Sequence, residues 1–353
     1  MDKKRNTVKK AAIVIPDVLS EIRGLIESAR GRVASFANAE LTMLYWKIGK
    51  RIHKEILKEK RAEYGAEIVA TVSGQLVSDY GLGFSVPNLS RMVHFVECYP
   101  DQKILSTLSK ELSWSHIVEI LPLKEDLKRD FYAEMCRIER WSVRILRAKI
   151  GGMLFERTAL SKKPEKLAKL ELANLREDDK LTPDLVFRDP YFLDFLGLKG
   201  TYQEKDLETA ILRDLEGFIL EIGTGFSFLA RQKRIIIDGE DFYLDLLFYH
   251  RGLKRLVAIE LKLGKFKAEY KGQMELYLRW LDKHERKEGE AHPLGLILCS
   301  GKSNEQIELL ELGKSGIRVA DYLTELPSRK VLENKLNQSV QIARLRFGNE
   351  KIK

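Results

Sequence analysis

The sequence is poor in cysteine and has no long apolar run. Its 353 residues include three cysteines, Cys98, Cys136 and Cys299, and no two of them form a CxxC pair. This argues against a disulfide framework and against a structural zinc site. No apolar stretch approaches the roughly 18 residues that a membrane-spanning helix requires. The start MDKKRNTVKK is basic, but AAIVIP is too short for a secretory signal, so we expect a cytoplasmic protein.

Negative charge is in deficit. The formal net charge is +9 and the sequence pI is near 9.2, a balance that favours polyanionic partners such as nucleic acids. Many basic proteins bind no nucleic acid, so charge alone does not assign a function. The hydrophobic content of 44% and the length indicate an ordinary globular protein of two or three domains.

The first 160 residues show helical spacing and predict an all-α domain. The pattern from about Asp17 to Glu59 predicts two helices, because Gly24, Gly31 and Gly49 interrupt it. Another helix is predicted from about Glu63 to Asp79. The turn GLGF follows at residues 81–84, and then a helix, VPNLSRMVHFVE, with Ser85 as its N-cap and Pro87 in its first turn.

Helix, glycine turn and capped second helix form the outline of a helix-turn-helix. An apolar stripe is predicted to face inward and is made of Leu89, Met92, Val93 and Val96. Asn88, Arg91 and His94 then face outward, where they are candidates for contact with DNA. The alternative, a helical hairpin with a polar surface, explains the pattern equally well.

A charged, nearly aromatic-free segment at residues 161–182 predicts a linker, partly helical in one interpretation. The predicted organisation is a helical domain at 1–160, this linker, an α/β domain at 183–340 and a basic tail at 341–353. After the linker the period changes: LETAILRDLEGFILEIG predicts a helix, and three strands, a helix and a strand follow, with a further helix from about Ser303 to Leu312 and the short strand IRVA behind them. The expected fold is α+β overall, with an αβββαβ core.

Charged residues interrupt two strands of this core. Asp245 stands within FYLDLLFYH, and Glu260 and Lys262 share one face of the next strand, VAIELKL. On the preceding helix, the apolar positions span an arc of about 140° at 100° per residue. Glu208 falls inside that arc, whereas Glu204 falls on it only at the solvent-accessible helix start. If these charges were buried without partners, the folded state would lose roughly several kcal/mol of stability.

A divalent cation would explain these carboxylates. Oxygen ligands suit Mg²⁺ or Mn²⁺, and we predict that Glu208, Asp245, Glu260 and the Leu261 carbonyl hold such an ion. Lys262 is then placed to orient a water molecule or to stabilise charge on a phosphate. Gln273 and Tyr277, one turn apart on the following helix, are predicted to hold the nucleic-acid backbone or the lysine. An ordinary cross-strand ion pair is the alternative.

With those residues in place, the C-terminal half resembles the PD-(D/E)XK nuclease superfamily, and within it the YhcG-like branch. The segments that carry the resemblance are LETAILRDLEGFILEIGTGFSFLARQKR, GEDFYLDLLFYHRGLKRLVAIELKLGKF and YKGQMELYL. The N-terminal half is similar to the helical domain of that branch through LYWKIGKRI, GFSVPNLSRM, LSWSHIVEIL and WSVRILRAKI.

The resemblance implies metal-dependent cleavage of phosphodiester bonds, and we expect the substrate to be DNA. It matches Glu208, Asp245, Glu260 and Lys262 to the motif acids and lysine, and Gln273 and Tyr277 to the glutamine-tyrosine motif of RecB-like members. The Pro-Asp of the superfamily name is absent, because Leu244 precedes Asp245, and Pro183-Asp184 is a coincidental match. A non-catalytic DNA-binding scaffold and an RNA substrate are the alternatives, and a homodimer is left open.

Overall fold

A computed structural model describes residues 15–58, 62–102, 107–108, 110–198 and 200–350. The chain forms two compact units. The first takes in the chain up to Arg129 together with Met135–Val143, and the second takes in Asp130–Glu134 and the chain from Arg144 onward. The first unit is helical and the second contains a mixed sheet with helices, so the fold is α+β overall, as predicted. None of the described helices is both long enough and apolar enough to cross a membrane.

Within the described residues, the first unit is built from helices. They are α1 (Ile15–Lys58), α2 (Ala62–Tyr80), α3 (Val86–Cys98), α4 (Trp114–Ile120) and the parts of α5 (Asp126–Glu139) outside residues 130–134. A single 3-10 turn at Leu82–Phe84 joins α2 to α3. The predicted order of helix, glycine turn and second helix is therefore present.

The prediction of two helices between Asp17 and Glu59 was wrong, because α1 is continuous through all three glycines. A single glycine costs a helix only about 1 kcal/mol, which packing readily outweighs. Gly49 has a packing role instead: a Cβ atom there would lie 1.9 Å from the Met92 carbonyl oxygen of α3. The glycine lets the two helix backbones touch where α1 and α3 cross.

Helix α3 has the predicted two-sided character. Its buried face is formed by Leu89, Met92, Phe95 and Val96, with Val93 at the edge. Ser85 is the N-cap, with an extended backbone and no hydrogen bond from its side chain, and Pro87 lies in the first turn. On the opposite face, Arg91 and His94 are exposed and Asn88 is half-buried. The prediction of the inward stripe is confirmed.

Five helices precede the sheet of the second unit: α6 (Val143–Gly151), α7 (Leu154–Arg157), α8 (Ala159–Lys162), α9 (Glu165–Asp178) and α10 (Pro183–Val186). Most of the segment predicted as a linker is α9. Its Ala168, Leu172 and Leu175 recur at helical spacing and are buried, so this segment packs as part of the unit. Residues 341–350 of the predicted tail lie in the last helix, α15 (Arg329–Glu350). The boundaries placed at residues 160 and 183 stay predictions.

The sheet contains β1 (Tyr191–Phe192), β2 (Phe226–Ile237), β3 (Glu240–His250), β4 (Arg255–Leu261), β5 (Leu294–Cys299) and β6 (Ile317–Leu323). Their spatial order is β1-β6-β5-β4-β3-β2. The meander β2-β3-β4 is antiparallel, and β4, β5, β6 and β1 are parallel. With α11 (Glu204–Arg213), α12 (Leu215–Ile222), α13 (Glu269–His284) and α14 (Asn304–Leu309), the chain follows the predicted αβββαβ order and then adds α14 and β6.

The helix predicted over residues 207–223 is divided in two at Asp214. The carboxylate of Asp214 accepts a hydrogen bond from the Gly217 backbone and so caps α12 as a new helix. Apolar spacing continues across this break, which explains why the sequence alone predicted one helix. Leu207, Ala210 and Ile211 of α11 are buried, and they orient the adjacent Glu208 toward the sheet.

Both faces of the sheet are covered. Helices α11 and α12 pack on one face against Leu246, Phe248, Val257 and Ile259. Helix α13 packs on the other face, where Met274, Tyr277, Leu278 and Leu281 meet Leu244, Leu247, Leu256 and Ala258. Strands buried on both faces read as continuous apolar runs, and β4 and β5 are buried along nearly their whole length.

A buried ion pair network ties the helices before the sheet to the helix and strand that follow them. Glu221 of α12 accepts from Arg157 of α7 and from Arg188, and one of its oxygens also accepts from the backbone N–H of Phe192 at 2.8 Å. The side chains of Arg157 and Arg188 are each 4% exposed. Breaking such a pair from one side leaves an uncompensated buried charge, so Arg157 is part of what stabilises this unit.

Candidate active site in the C-terminal unit

The backbone pairing of the sheet is interrupted at Asp245. Strands β3 and β4 pair from His250↔Arg255 to Leu246↔Ile259, and the pairing stops there. Strands β2 and β3 pair at Arg231↔Leu246 and Lys233↔Leu244, which places Gln232 opposite Asp245. A buried backbone group without a ladder partner needs another one. Side chains supply these partners at this level of the sheet.

Two carboxylates take over the missing backbone contacts. The Leu261 backbone N–H donates to Asp245 Oδ2 at 2.9 Å, and the Asp245 backbone N–H donates to Glu260 Oε1 at 3.3 Å. These reciprocal bonds hold the two acids side by side although their strands no longer pair there. The charged residues that the sequence places on buried strands therefore lie where the backbone pairing of β3 with β4 stops.

Gln232 joins Asp245 to the helix carboxylate. Its Nε2 donates to Asp245 Oδ1 and to Glu208 Oε2, both at 3.0 Å. The other oxygen, Glu208 Oε1, is buried and accepts no hydrogen bond, and its nearest cation is Arg231 Nε at 3.8 Å. Glu208, Asp245 and Glu260, which we predicted to come together, are thus linked through Gln232 and the β4 backbone.

Lys262 contacts one of these acids directly. Its Nζ lies 3.1 Å from Glu260 Oε2 and 5.3 Å from the centre of the Tyr270 ring. On α13, Gln273 donates to the Tyr277 hydroxyl at 2.7 Å, and that hydroxyl donates to the Tyr243 carbonyl at 3.2 Å. The glutamine and tyrosine therefore contact each other and the β3 backbone, and no hydrogen bond joins them to Lys262 among the described residues.

Burial and mutual repulsion favour protonation of the acids. Burial first, and then the negative charge of Asp245, raise the pKa of Glu260 to about 7. Burial likewise raises the pKa of Asp245 above its usual value. Burial opposes the charge on Lys262, but contact with Glu260 overcomes this and raises its pKa. When Asp245 and Glu260 are ionised, their two negative charges exceed the one positive charge of Lys262, which is an environment that attracts a cation.

A cleft of about 370 Å³ opens beside these acids. Its walls are formed by Glu204, Lys205, Glu208, Thr209, Arg231, Gln232, Asp245 and Leu261. Glu204, which the sequence placed at the solvent-accessible helix start, accepts from the Leu263 backbone N–H at 3.2 Å. Glu260 and Lys262 do not line this cleft. Three of the four predicted metal-holding residues do: Glu208, Asp245 and Leu261.

The donor set suits a hard divalent ion. Among the described residues, no three His, Cys, Asp or Glu side chains already stand in a metal-binding group. However, Glu208 Oε1 is a buried carboxylate oxygen without a hydrogen bond, and Asp245 is its neighbour across one amide. Carboxylate and carbonyl oxygens are the ligands that Mg²⁺ and Mn²⁺ prefer. The residues fit such an ion in chemistry.

Sequence reasoning missed Gln232, although a signal was present. The turn at Asp238-Gly239 fixes the register of the β2-β3 hairpin, and Ile237 pairs with Glu240. Counting back from that turn brings residue 232 opposite Asp245. The coincidental match, Pro183-Asp184, lies in α10, where Asp184 pairs with Lys163 and Arg318, away from this cleft.

The predicted DNA-contacting residues of α3 are engaged locally. Asn88 donates to the Gly83 carbonyl at 3.0 Å, and Arg91 donates to Asn88 Oδ1 at 3.0 Å. His94 Nδ1 lies 3.1 Å from Glu97. Arg91 and His94 are exposed and Asn88 is half-buried, and the contact of all three with DNA stays a prediction.

Comparison with known proteins assigns both halves of the chain. Residues 184–339 match the family described as YhcG PDDEXK nuclease domain, so the second unit carries a nuclease domain of the PD-(D/E)XK class. Residues 21–157 match the DUF1016 N-terminal domain. The chain is 35% identical to "Putative nuclease YhcG" of Escherichia coli K12 over 343 residues, which covers 88% of this chain and 91% of that protein. The chain belongs to the YhcG family.

Solved structures resemble part of the chain. A repair endonuclease from Pyrococcus abyssi is 22% identical over 36% of this chain, with a TM-score of 0.25. EndoMS in a complex with dsDNA is 20% identical over 37% of this chain, with a TM-score of 0.27. The matched region spans about half the length of these two chains.

Proposed function

We propose that the protein is a metal-dependent nuclease that hydrolyses phosphodiester bonds in DNA. The observation that carries this proposal is the convergence of Asp245, Glu260 and Lys262 at the gap in the β-ladder, with Glu208 joined to Asp245 through Gln232. An exposed cross-strand ion pair needs no such gap and no buried carboxylate oxygen that lacks a hydrogen bond. Membership of the YhcG family supports the same class of activity.

Glu208, Asp245, Glu260 and the Leu261 carbonyl would hold the Mg²⁺ or Mn²⁺ ion. When bound, the ion polarises the scissile phosphate and lowers the pKa of a water molecule. Burial raises the pKa values of Glu260 and Asp245, and a bound cation would lower them by favouring the ionised forms.

Lys262 would act on the phosphate that is cleaved. Its ammonium is held by Glu260, two residues back on the same strand, and its raised pKa keeps it charged at neutral pH. A fixed positive charge orients the attacking water or stabilises the negative charge that develops in the transition state. Gln273 and Tyr277 anchor α13 to the β3 backbone and so support the strand that carries Asp245.

The basic surface and the exposed face of α3 would bind the DNA backbone, with Asn88, Arg91 and His94 as the predicted contacts. The phosphate contribution to binding does not depend on sequence and is shared by RNA. RNA therefore stays open as the substrate. A non-catalytic scaffold is the other alternative, and the experiment below tests both. A homodimer and a cytoplasmic location stay predictions.

The proposal is tested by incubating the protein with linear, circular, branched and single-stranded DNA, and with RNA, in Mg²⁺ or in EDTA. The wild type is compared with Asp245→Ala and with Asp241→Ala. Asp241 is a matched control, because it lies on the same strand and only pairs with exposed Arg234. We expect cleavage of DNA in Mg²⁺ by the wild type and by Asp241→Ala, and none by Asp245→Ala. Cleavage of RNA alone would change the substrate, and no cleavage in any arm would favour the scaffold.

A further inference from the structure

Gln232 has an unusual backbone for a residue inside a strand. Its φ is 41°, in the left-handed region, although it lies in the middle of β2 and is not glycine. Such a conformation costs about 1–2 kcal/mol for a residue with a side chain. Strain of this kind persists where the surrounding contacts enforce it, and it concentrates at functional sites. The result here is that the Gln232 side chain reaches both Asp245 and Glu208.

We propose that Gln232 is a positioning residue of the nuclease site, which holds the carboxylates of Glu208 and Asp245 at the spacing from which they take up a divalent cation. This inference rests on the proposed function, because it concerns the same site. It adds a residue that the motif acids, the lysine and the glutamine-tyrosine pair do not include.

The chemistry of an amide suits this role better than that of a cation. The Nε2 atom of glutamine has two hydrogens, one for each carboxylate, and it carries no net charge. A lysine or arginine in the same place would also bridge the acids, but it would neutralise them and compete with the metal ion. The amide restrains two acids that otherwise repel each other and leaves their negative charge available.

The contact is also specific. Within the part of the chain that the structure describes, Gln232 is the one side chain whose hydrogen bonds join Glu208 to Asp245. Arg231, the adjacent residue, is 63% exposed and approaches only Glu208, at 3.8 Å. Groups that orient metal ligands through hydrogen bonds typically contribute a factor of about 10–100 to metal affinity. We expect the same of Gln232.

The experiment measures Mn²⁺ binding by titration calorimetry on the full chain without nucleic acid. Gln232→Met keeps the length of the side chain and removes both donors. Gln232→Asn keeps the amide and tolerates a positive φ, but is one methylene too short to reach both acids. We expect the Kd for Mn²⁺ to rise about 10–100-fold in both variants. Lys233→Met is the matched control, because Lys233 pairs with Glu285 instead, and its Kd should equal that of the wild type.

A merely structural role gives a different result. Misfolding lowers the number of binding sites per chain and the melting temperature, whereas loss of positioning raises Kd at full stoichiometry. Gln232→Asn keeps the test decisive even if Gln232→Met does not fold. An unchanged Kd in the folded variants overturns the proposal, and so does a lower Kd, which would mean that the amide competes with the ion.

The two proposals fail in distinguishable ways. If the wild type binds no Mn²⁺ at millimolar concentration, Gln232 has no metal ligands to position and its assignment is overturned. If the wild type binds Mn²⁺ but cleaves no nucleic acid, the nuclease function is overturned, and the comparison of Kd values still decides the role of Gln232.

Discussion

At the candidate site, side-chain carboxylates accept the hydrogen bonds that backbone carbonyls accept elsewhere in a sheet. Asp245 accepts from the Leu261 N–H, and Glu260 accepts from the Asp245 N–H, so each acid satisfies a donor that the interrupted ladder leaves without a partner. Such an acid is fixed in position before any ligand arrives. Prior orientation is what a metal or phosphate site needs, because a loose ligand loses entropy when it binds.

Lys262→Ala provides the test at the scale of one residue. We expect the rate of DNA cleavage to fall by about 10²–10³-fold, the usual effect of removing one group that stabilises the transition state. Folding should persist, because Glu260 is left with a still higher pKa and becomes protonated instead of remaining as a buried charge. Cleavage kinetics and thermal melting measure the two effects.

Lys267→Ala is the control for Lys262→Ala. Lys267 is exposed, and its contacts with exposed Glu269 at 3.5 Å and with the Tyr270 ring centre at 6.0 Å are weak, so its loss should change neither rate nor stability. Wild-type turnover in Lys262→Ala would remove the lysine from the mechanism. A similar loss in both variants would point to general weakening of DNA binding.

The sequence could predict some site residues and not others. Asp245, Glu260 and Lys262 could be predicted because a charge on a strand buried on both faces requires a partner. Glu208 could be predicted because it lies within the apolar arc of its helix. For Gln232, the turn of the hairpin gives the register that places it opposite Asp245, but polar residues surround it in β2 and the local sequence does not indicate its left-handed backbone conformation.

At the scale of elements, close contact between backbones decides how α1 and α3 pack. Gly49 and Met92 face each other at the crossing, and the space between them admits no side-chain atom. The exposed half of α3, with Asn88 and Arg91, is thereby held at a defined position on α1. This is a property of the pair of helices and not of either one.

Gly49→Ala tests this contact. An alanine Cβ would lie 1.9 Å from the Met92 carbonyl oxygen, which is backbone and cannot rotate away. We expect the free energy of unfolding to fall by about 1–3 kcal/mol. Gly24→Ala is the matched control in the same helix: nothing lies within 4 Å of its Cβ position, so the better helix former should stabilise by up to about 1 kcal/mol. Urea unfolding followed by tryptophan fluorescence compares them, and equal effects would contradict the packing role.

The order of elements was predictable, and their breaks were not. The change from helical to alternating period gave the αβββαβ order correctly. Helix α1 is continuous because tertiary packing outweighs the low helix propensity of its glycines. The break at Asp214 depends on one capping carboxylate, although the apolar spacing continues through it. The sequence indicated helix α9 only weakly, because its buried face consists of three residues, one alanine and two leucines.

At the scale of the whole molecule, positive charge is the dominant property. The net charge of +9 favours DNA at low ionic strength, and salt weakens that attraction as counterions are retained by the phosphates. The first unit presents exposed polar and basic residues on α3, and the second unit carries the candidate nuclease site. We propose that both take part in holding the substrate.

Arg91→Ala tests the contribution of the first unit. If Arg91 contacts a phosphate, its removal should weaken DNA binding and reduce the slope of log K against log salt by about one contact. Fluorescence anisotropy at several salt concentrations measures this. Arg51→Ala, an exposed arginine of α1 paired with Glu55, is the control for loss of one charge. The same slope in all three proteins would make α3 part of a helical hairpin with a polar surface.

The burial of Arg157 against Glu221 limits how the catalytic half can be moved. A gene fusion that begins at residue 184, where the nuclease-domain match starts, would keep the contact of Glu221 with Arg188 but lose its contact with Arg157 and the β-bridge of Thr158 to Arg188. The segment that matches the nuclease domain is thus shorter than the segment that packs together as one unit. Recombination between relatives, natural or engineered, should preserve function only when its crossover point lies upstream of α7.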